Sequence, residues 1–164
     1  MIRTLIILVS IVSLGFHPLS VKNELTFQEM TVERRAEIAG LDVDEFVLFS
    51  SVVEAESDRN TEDTTGRRYI ALTIINRLHD PMFNADSITE VLTAAGQFTT
   101  VHNGHSVTNR TDLSDLAVLE ALQWYDTGNA PEVLFFNCRG FFSGREPFPN
   151  PDGGNTIGGN YFSL

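Results

Sequence analysis

Two glutamates lie two residues apart in the segment VVEAES, in a run of otherwise apolar or small residues. Carboxyl groups act as general acids or bases, and burial favours the protonated state that an acid needs. On a helix begun at Asp42, side chains turn by about 100° per residue, so Glu54 lies about 20° from Val47 on the apolar face. Glu56 lies about 200° further round and is expected to face solvent. Glu54 is therefore the candidate acid, and a core-edge glutamate that reaches water or pairs with an arginine is the alternative.

Histidines offer a second kind of chemistry. His102 and His105 in HNGH have a spacing that could suit a metal, and His79 is a third candidate ligand. No acidic or thiol residue lies beside the HNGH pair, which favours a solvated loop, and NPDGGN at 150–155 favours a turn over a calcium loop. We therefore expect neither a metal nor a cofactor, while a metal-dependent hydrolase remains an alternative.

The elements that would position these residues can be predicted from periodicity and capping signals. Asp42 followed by Glu45 has the spacing of a capping box and should open the helix that carries Glu54. The run VLFFNC favours a strand, and the Gly- and Pro-rich segment after it favours turns around short strands. The sequence thus predicts an α+β, mainly helical domain with a small C-terminal β-sheet, its helices spanning about 31–39, 42–57, 66–78, 87–95 and 112–125.

Composition excludes some classes of function. The chain has 22 acidic and 11 basic residues and a formal net charge of -11, so it lacks the basic face that nucleic-acid binding requires. Its single cysteine, Cys138, cannot form an internal disulfide and, in an apolar run, is expected to be a buried, inert thiol.

The N-terminus resembles an export signal. A short basic start precedes the uncharged apolar block Leu5–Phe16, whose 12 residues fall short of a bilayer span but suit a secretory signal. We expect residues 1–22 to be a signal peptide or signal anchor, with no stable membrane span, and residues 23–164 to form the exported domain. Such a protein would reside in the periplasm, in the cell wall or outside the cell.

Three further motifs resemble the cell wall hydrolase family of spore-cortex-lytic (SleB-like) type. They are VVEAESD with Glu54, GRRYIALTIINR with Gly66, Asn76 and Arg77, and AAGQFTTVHNG with Gln97. The helix at 112–125, then LFFNC and the closing IGGNYF, is similar to the last third of that family, so the resemblance runs from about 46 to 162.

The resemblance implies a lysozyme-like fold that cleaves the glycan strands of peptidoglycan between N-acetylmuramic acid and N-acetylglucosamine, with Glu54 as the acid. A single glutamate suffices for a lytic transglycosylase, whereas a glycosidase usually needs a second carboxylate. That second group could be Glu56, Asp58, Asp63 or Asp86. The alternative is a non-catalytic glycan-binding protein that keeps the cleft without the activity.

The resemblance also implies substrate contacts. Gln97, Phe98 and Thr99 form a turn that could face a sugar. Tyr69 could line the groove, and Asn160 and Tyr161 could lie across the cleft from Glu54.

Family members often have a histidine where this chain has Asn160. An asparagine can form hydrogen bonds but cannot take up a proton as a histidine can. Asn76 and Arg77 are at least as suited to a structural role, as are the aromatic side chains of Trp124 and Tyr125.

Overall fold

The computed structural model describes residues 26–57, 64–98, 101, 109–141 and 143–164. The chain divides into two compact units, Met1–Thr31 and Val32–Leu164. In the described part of the first unit, the backbone N–H and the hydroxyl of Thr26 both donate to the Glu29 carboxylate and cap the 3-10 helix Phe27–Glu29. The predicted signal segment, residues 1–22, lies outside the described residues.

The second unit confirms the α+β, mainly helical class. Every predicted helix is present, and each end lies within two residues of its predicted position. Among the described residues, no helix has the length and hydropathy needed to cross a membrane. The helices are α1 (Val32–Ala39), α2 (Val43–Glu56), α3 (Thr65–His79), α4 (Ile88–Thr93) and α5 (Asp112–Asp126).

Side-chain caps explain where the helices begin. The Asp42 carboxylate accepts the Glu45 N–H at 2.8 Å, which confirms the predicted N-cap of α2. The second half of the predicted capping box is wrong, because the Glu45 carboxylate instead accepts the N–H of Thr89 at 2.9 Å. Thr89 lies in the first turn of α4, so Glu45 joins the starts of two helices.

Helix α3 is the central element of the core. Most of its side chains are buried, and it packs against α2, α4, α5 and the strand Phe135–Asn137. Burial on nearly all sides explains why its sequence is apolar around most of the helix rather than along one stripe. The largest buried side chains around it are Phe46, Phe49, Phe98, Phe162 and Leu92.

The C-terminal residues form the predicted small sheet. Strand β1 (Phe135–Asn137) and strand β2 (Pro147–Phe148) both pair antiparallel with β3 (Tyr161–Ser163), which lies between them. The predicted strand ends one residue before Cys138, which lies in a turn. Cys138 is therefore exposed, and the expectation of a buried thiol was wrong because the strand stops short of it.

Two glycines bring the C-terminal turn against the start of α3. A Cβ built on Gly66 would lie 2.7 Å from the Cα of Gly158, and one built on Gly158 would clash with the Cα of Gly66. Since both contacts are with backbone, no side-chain movement can relieve them. The backbones can approach this closely only because both residues are glycine.

We expect Gly66→Ala to destabilise the fold by about 1–3 kcal/mol, because the added methyl group overpacks a backbone contact. Within a helix the same change normally stabilises by up to about 1 kcal/mol, so the sign of the effect is diagnostic. The measurement is the free energy of unfolding in urea. Gly128→Ala is the control, since its φ is 70° with nothing within 4 Å, and it should cost only backbone strain, about 1 kcal/mol. A neutral or stabilising Gly66→Ala would contradict the close contact.

Candidate active site

Glu54 lies in the last turn of α2 and is only 6% exposed, which confirms the predicted burial. Its carboxylate forms a two-pronged ion pair with Arg67 in the first turns of α3. Arg67 Nε donates to Oε2 at 2.8 Å, and Nη2 donates to Oε1 at 3.0 Å. This parallel geometry fixes the plane of the carboxylate as well as its position.

A third donor comes from the start of α5. The Thr111 hydroxyl donates to Glu54 Oε2 at 2.8 Å and also accepts the N–H of Ser114 at 3.2 Å as the N-cap of the helix. The positive end of the α5 dipole therefore faces the Glu54 carboxylate. Thr111 itself is exposed, so the buried carboxylate comes close to the surface at this point.

A buried ion-pair network holds the start of α5 in place. Arg35 of α1 donates to Asp112 and Asp115, each at 2.6 Å, and Arg110 donates to Asp115 at 2.6 Å. Asp115 is fully buried. Burial lowers the pKa of Arg35, but its hydrogen bonds to Asp115 and Asp112 raise the pKa by more, so the net shift is upward. Because Thr111 lies between Arg110 and Asp112, this network fixes the hydroxyl that contacts Glu54.

Arg67 and Thr111 were not identified from the sequence. Burial favours the neutral form of a carboxylate, whereas an arginine beside it favours the ionised form. Pairing with an arginine was the alternative interpretation of a core-edge Glu54, and the structure shows that pairing, although the sequence did not identify which arginine supplies it. A charged residue among the apolar positions of α3 was the available signal, because a buried arginine needs a partner.

Glu56 is half-buried, so its side chain faces solvent only in part. Its negative charge acts on Arg77, an arginine near the end of α3. Burial lowers the pKa of Arg77 to about 10, and the charge of Glu56 opposes that shift. The side chain turns away from Glu54, as periodicity required, but into the vicinity of another buried group.

Arg77 and Asn76 have structural roles. Arg77 Nε donates to the carbonyl of Leu134 at 2.8 Å, and Asn76 donates to the carbonyls of Pro131 and Val133 at 3.0 and 2.9 Å. Together these bonds attach the segment before β1 to α3.

The predicted substrate-binding turn contributes one accessible polar side chain. Gln97 is half-buried, and its Oε1 accepts a hydrogen bond from Arg77 Nη1 at 2.9 Å. Phe98 is only 1% exposed and lies 5.4 Å from the Arg77 guanidinium, so it belongs to the core rather than to a sugar-facing surface. Thr99 lies outside the described residues.

Tyr69 is also a packing residue, with 4% of its surface exposed. Its ring contacts those of Trp124, Phe148 and Phe162 at centroid distances of 5.4 to 5.8 Å. Burial raises the pKa of its hydroxyl. The predicted role of Tyr69 in lining the groove is therefore not supported by its position, which joins α3, α5 and the sheet.

Asn160 and Tyr161 lie at the end of the turn that Gly158 presses against α3. Asn160 is 6% exposed, and its backbone forms a two-way hydrogen-bonded bridge with Ile157. Tyr161 is half-buried and meets the ring of Phe141 edge-on at 5.1 Å. Gly158, two residues before Asn160, contacts Gly66, the residue before Arg67.

The metal alternative gains no support from the described part of the chain, where no group of three His, Cys, Asp or Glu side chains could hold an ion. The ring of His79 stacks on Tyr125 at 4.9 Å. His102 and His105, together with Asp58 and Asp63, lie outside the described residues.

We expect Thr111→Val to lower the free energy of unfolding by about 2 kcal/mol, since it removes both a helix cap and a hydrogen bond to a charged group. Thr111→Ser keeps the hydroxyl and should change the stability by less than about 0.5 kcal/mol. Urea unfolding of the two variants beside the parent provides the comparison. Equal stability of the Val and Ser variants would show that the hydroxyl does not hold Glu54 and α5 together.

Comparison with known proteins gives one family. The sequence profile of the Cell Wall Hydrolase family matches residues 61–162. The resemblance was predicted to run from about residue 46 to residue 162, so the match begins later than predicted and ends at the predicted residue. The matched segment contains Arg67 and Thr111, whereas Glu54 precedes it. Searches of curated proteins and of solved structures find no significant match. Since the profile covers well over half of the chain, this protein belongs to the cell wall hydrolase family, whose substrate is peptidoglycan.

Proposed function

We propose that this protein cleaves the glycan strand of peptidoglycan between N-acetylmuramic acid and N-acetylglucosamine, with Glu54 as the catalytic acid. The observation that carries the proposal is the buried Glu54 carboxylate, held by Arg67 and by the exposed Thr111 in a member of a cell wall hydrolase family. Glycosidases place a carboxyl group of this kind beside the bond that they break.

Glu54 would give its proton to the glycosidic oxygen as positive charge develops at the anomeric carbon. The carboxylate left behind is then stabilised by the Arg67 guanidinium, the Thr111 hydroxyl and the positive end of α5. None of these donors has to move to meet the charge, because all three are in place before the reaction.

We further propose that the second step is intramolecular. The 6-hydroxyl oxygen of the muramic acid bonds to the anomeric carbon, its proton passes to Glu54, and the bond to the leaving oxygen breaks. The product is a 1,6-anhydro sugar, and the protonated acid is regenerated. This lytic transglycosylase route needs one carboxyl group, whereas a water-dependent route usually needs a partner. Of the suggested partners within the described residues, Asp86 is exposed, and Glu56 is half-buried with its charge acting on Arg77.

Gln97 and Tyr161 are the proposed substrate contacts. The Gln97 carbonyl oxygen is engaged by Arg77, so its amide N–H groups are left to donate to an acetamido or hydroxyl oxygen of a sugar. Tyr161 has a partly exposed ring and a hydroxyl, which suits contact with a sugar. Asn160 beside it can contribute through hydrogen bonds alone.

We expect Glu54→Gln to reduce the release of soluble muropeptides from purified sacculi by about 10²- to 10⁴-fold, the usual contribution of a general acid. Gln keeps the shape of the side chain but leaves the buried Arg67 guanidinium without its ionic partner, at a cost of about 3–5 kcal/mol, so the unfolding midpoint is measured beside the parent. Where the variant is folded, sedimentation with sacculi should show that wall binding is retained. Glu56→Gln makes the same substitution two residues away on the same helix and should keep most of the activity. Digestion by Glu54→Gln at the parent rate would refute the assignment of the acid.

The products separate the two chemistries. Mass spectrometry of digested peptidoglycan should detect fragments that end in 1,6-anhydro-N-acetylmuramic acid and lack the added water of hydrolysis. Fragments with reducing ends and one added water would instead show that the enzyme is a glycosidase. A digest with both free peptides and intact glycan strands would contradict cleavage of the sugar chain altogether.

A further inference from the structure

A groove on the surface between α3 and α5 takes no part in the Glu54 cluster. It has a volume of about 330 Å³ and is lined by Arg68, Glu120, Gln123, Trp124 and Thr127. Three of these residues belong to α5 and Thr127 is its C-cap, and their spacings of three and four place them on one face of that helix. The groove is shallow and largely open to solvent.

Arg68 supplies the positive charge of the groove. Its guanidinium carbon lies 5.0 Å from the centroid of the Trp124 ring, which orients the planar group. Among the residues that the structure describes, none accepts a hydrogen bond from the Arg68 side chain, and its Nε is buried without a partner. A guanidinium carries five N–H donors, and its usual partner is a carboxylate or phosphate bound by two of them.

Glu120 supplies a negative charge in the same groove. Its Oε2 accepts a hydrogen bond from the hydroxyl of Thr64 at 3.2 Å, and none of the ion pairs among the described residues joins Glu120 to Arg68. A purely anionic ligand would be repelled by Glu120, and a purely cationic ligand by Arg68. The groove therefore suits a head group that carries both a carboxylate and an ammonium.

The groove adjoins the proposed catalytic acid. Arg67 and Arg68 are consecutive residues of α3 with side chains about 100° apart, so one reaches Glu54 while the other enters the groove. Their Cα atoms are about 3.8 Å apart. An extended peptide of four residues spans roughly 13 Å, several times this Cα separation.

We propose that the groove binds the peptide stem of peptidoglycan at its free amino-acid end, with the carboxylate on Arg68 and the ammonium on Glu120. The peptide stem is the part of the wall polymer beside the sugars that carries both charges. This inference rests on the proposed function for the identity of the polymer. Such a groove would make the protein select glycan strands whose peptide stems are still attached.

The test uses the full chain with Glu54→Gln, so that the wall is not digested while binding is measured. Arg68→Gln in this background should weaken binding to sacculi that carry peptide stems by about tenfold, the effect of losing one charge-assisted contact. Binding to glycan strands stripped of their stems by an amidase should not change. Arg34→Gln removes an exposed arginine of α1 that pairs with Glu37 and serves as the charge-matched control.

Equal weakening on both substrates, or no weakening on either, would overturn the proposal. Arg68→Lys keeps the charge without the planar fork and should give an intermediate loss on stem-bearing walls only, provided that its unfolding midpoint matches the parent. The assay is independent of turnover. A parent protein that cleaves no glycan would refute the proposed function, while stem-selective binding that depends on Arg68 would still support the groove.

Discussion

The buried ion pair of Glu54 and Arg67 constrains the rest of this structure. Taking two charges out of water costs several kcal/mol per ion, and their attraction offsets that cost only when geometry and hydrogen bonding are good. Here three elements supply the geometry: the end of α2, the start of α3 and the N-cap of α5. Losing one partner would leave an uncompensated buried charge at a cost of about 3–5 kcal/mol. The pair thus specifies how these three helix ends meet.

The same reasoning explains how an acidic protein distributes its few cations. Of its 11 basic residues, Arg35, Arg67 and Arg77 are buried and join separate elements of the fold. Their charges are therefore largely unavailable to a ligand at the surface. An acidic protein gains little from long-range attraction to an anionic polymer, so its recognition of a wall must depend on short-range contacts. Arg68 in its groove is a surface cation placed to make such a contact.

Local signals in the sequence were sufficient for the helices and for the burial of Glu54. Capping residues such as Asp42 act within three positions, and periodicity assigns the face of a helix without reference to its neighbours. The pairing of Glu54 with Thr111 spans 57 residues and depends on how α5 packs. Cys138 was misplaced for a different reason, since a one-residue shift of a strand end changes the exposure of the residue that follows it. Lysozyme-like topology stays a prediction.

A transglycosylase acting through one carboxyl group needs that group in both protonation states within each turnover. It must hold a proton for the leaving oxygen and then, as an anion, accept one from the 6-hydroxyl. Burial alone would favour the neutral state, and an arginine in water-free contact would favour the ionised state. Glu54 experiences both effects at once, together with a hydroxyl that remains bonded to it. The proposed mechanism therefore depends on how these opposed contributions balance at Glu54.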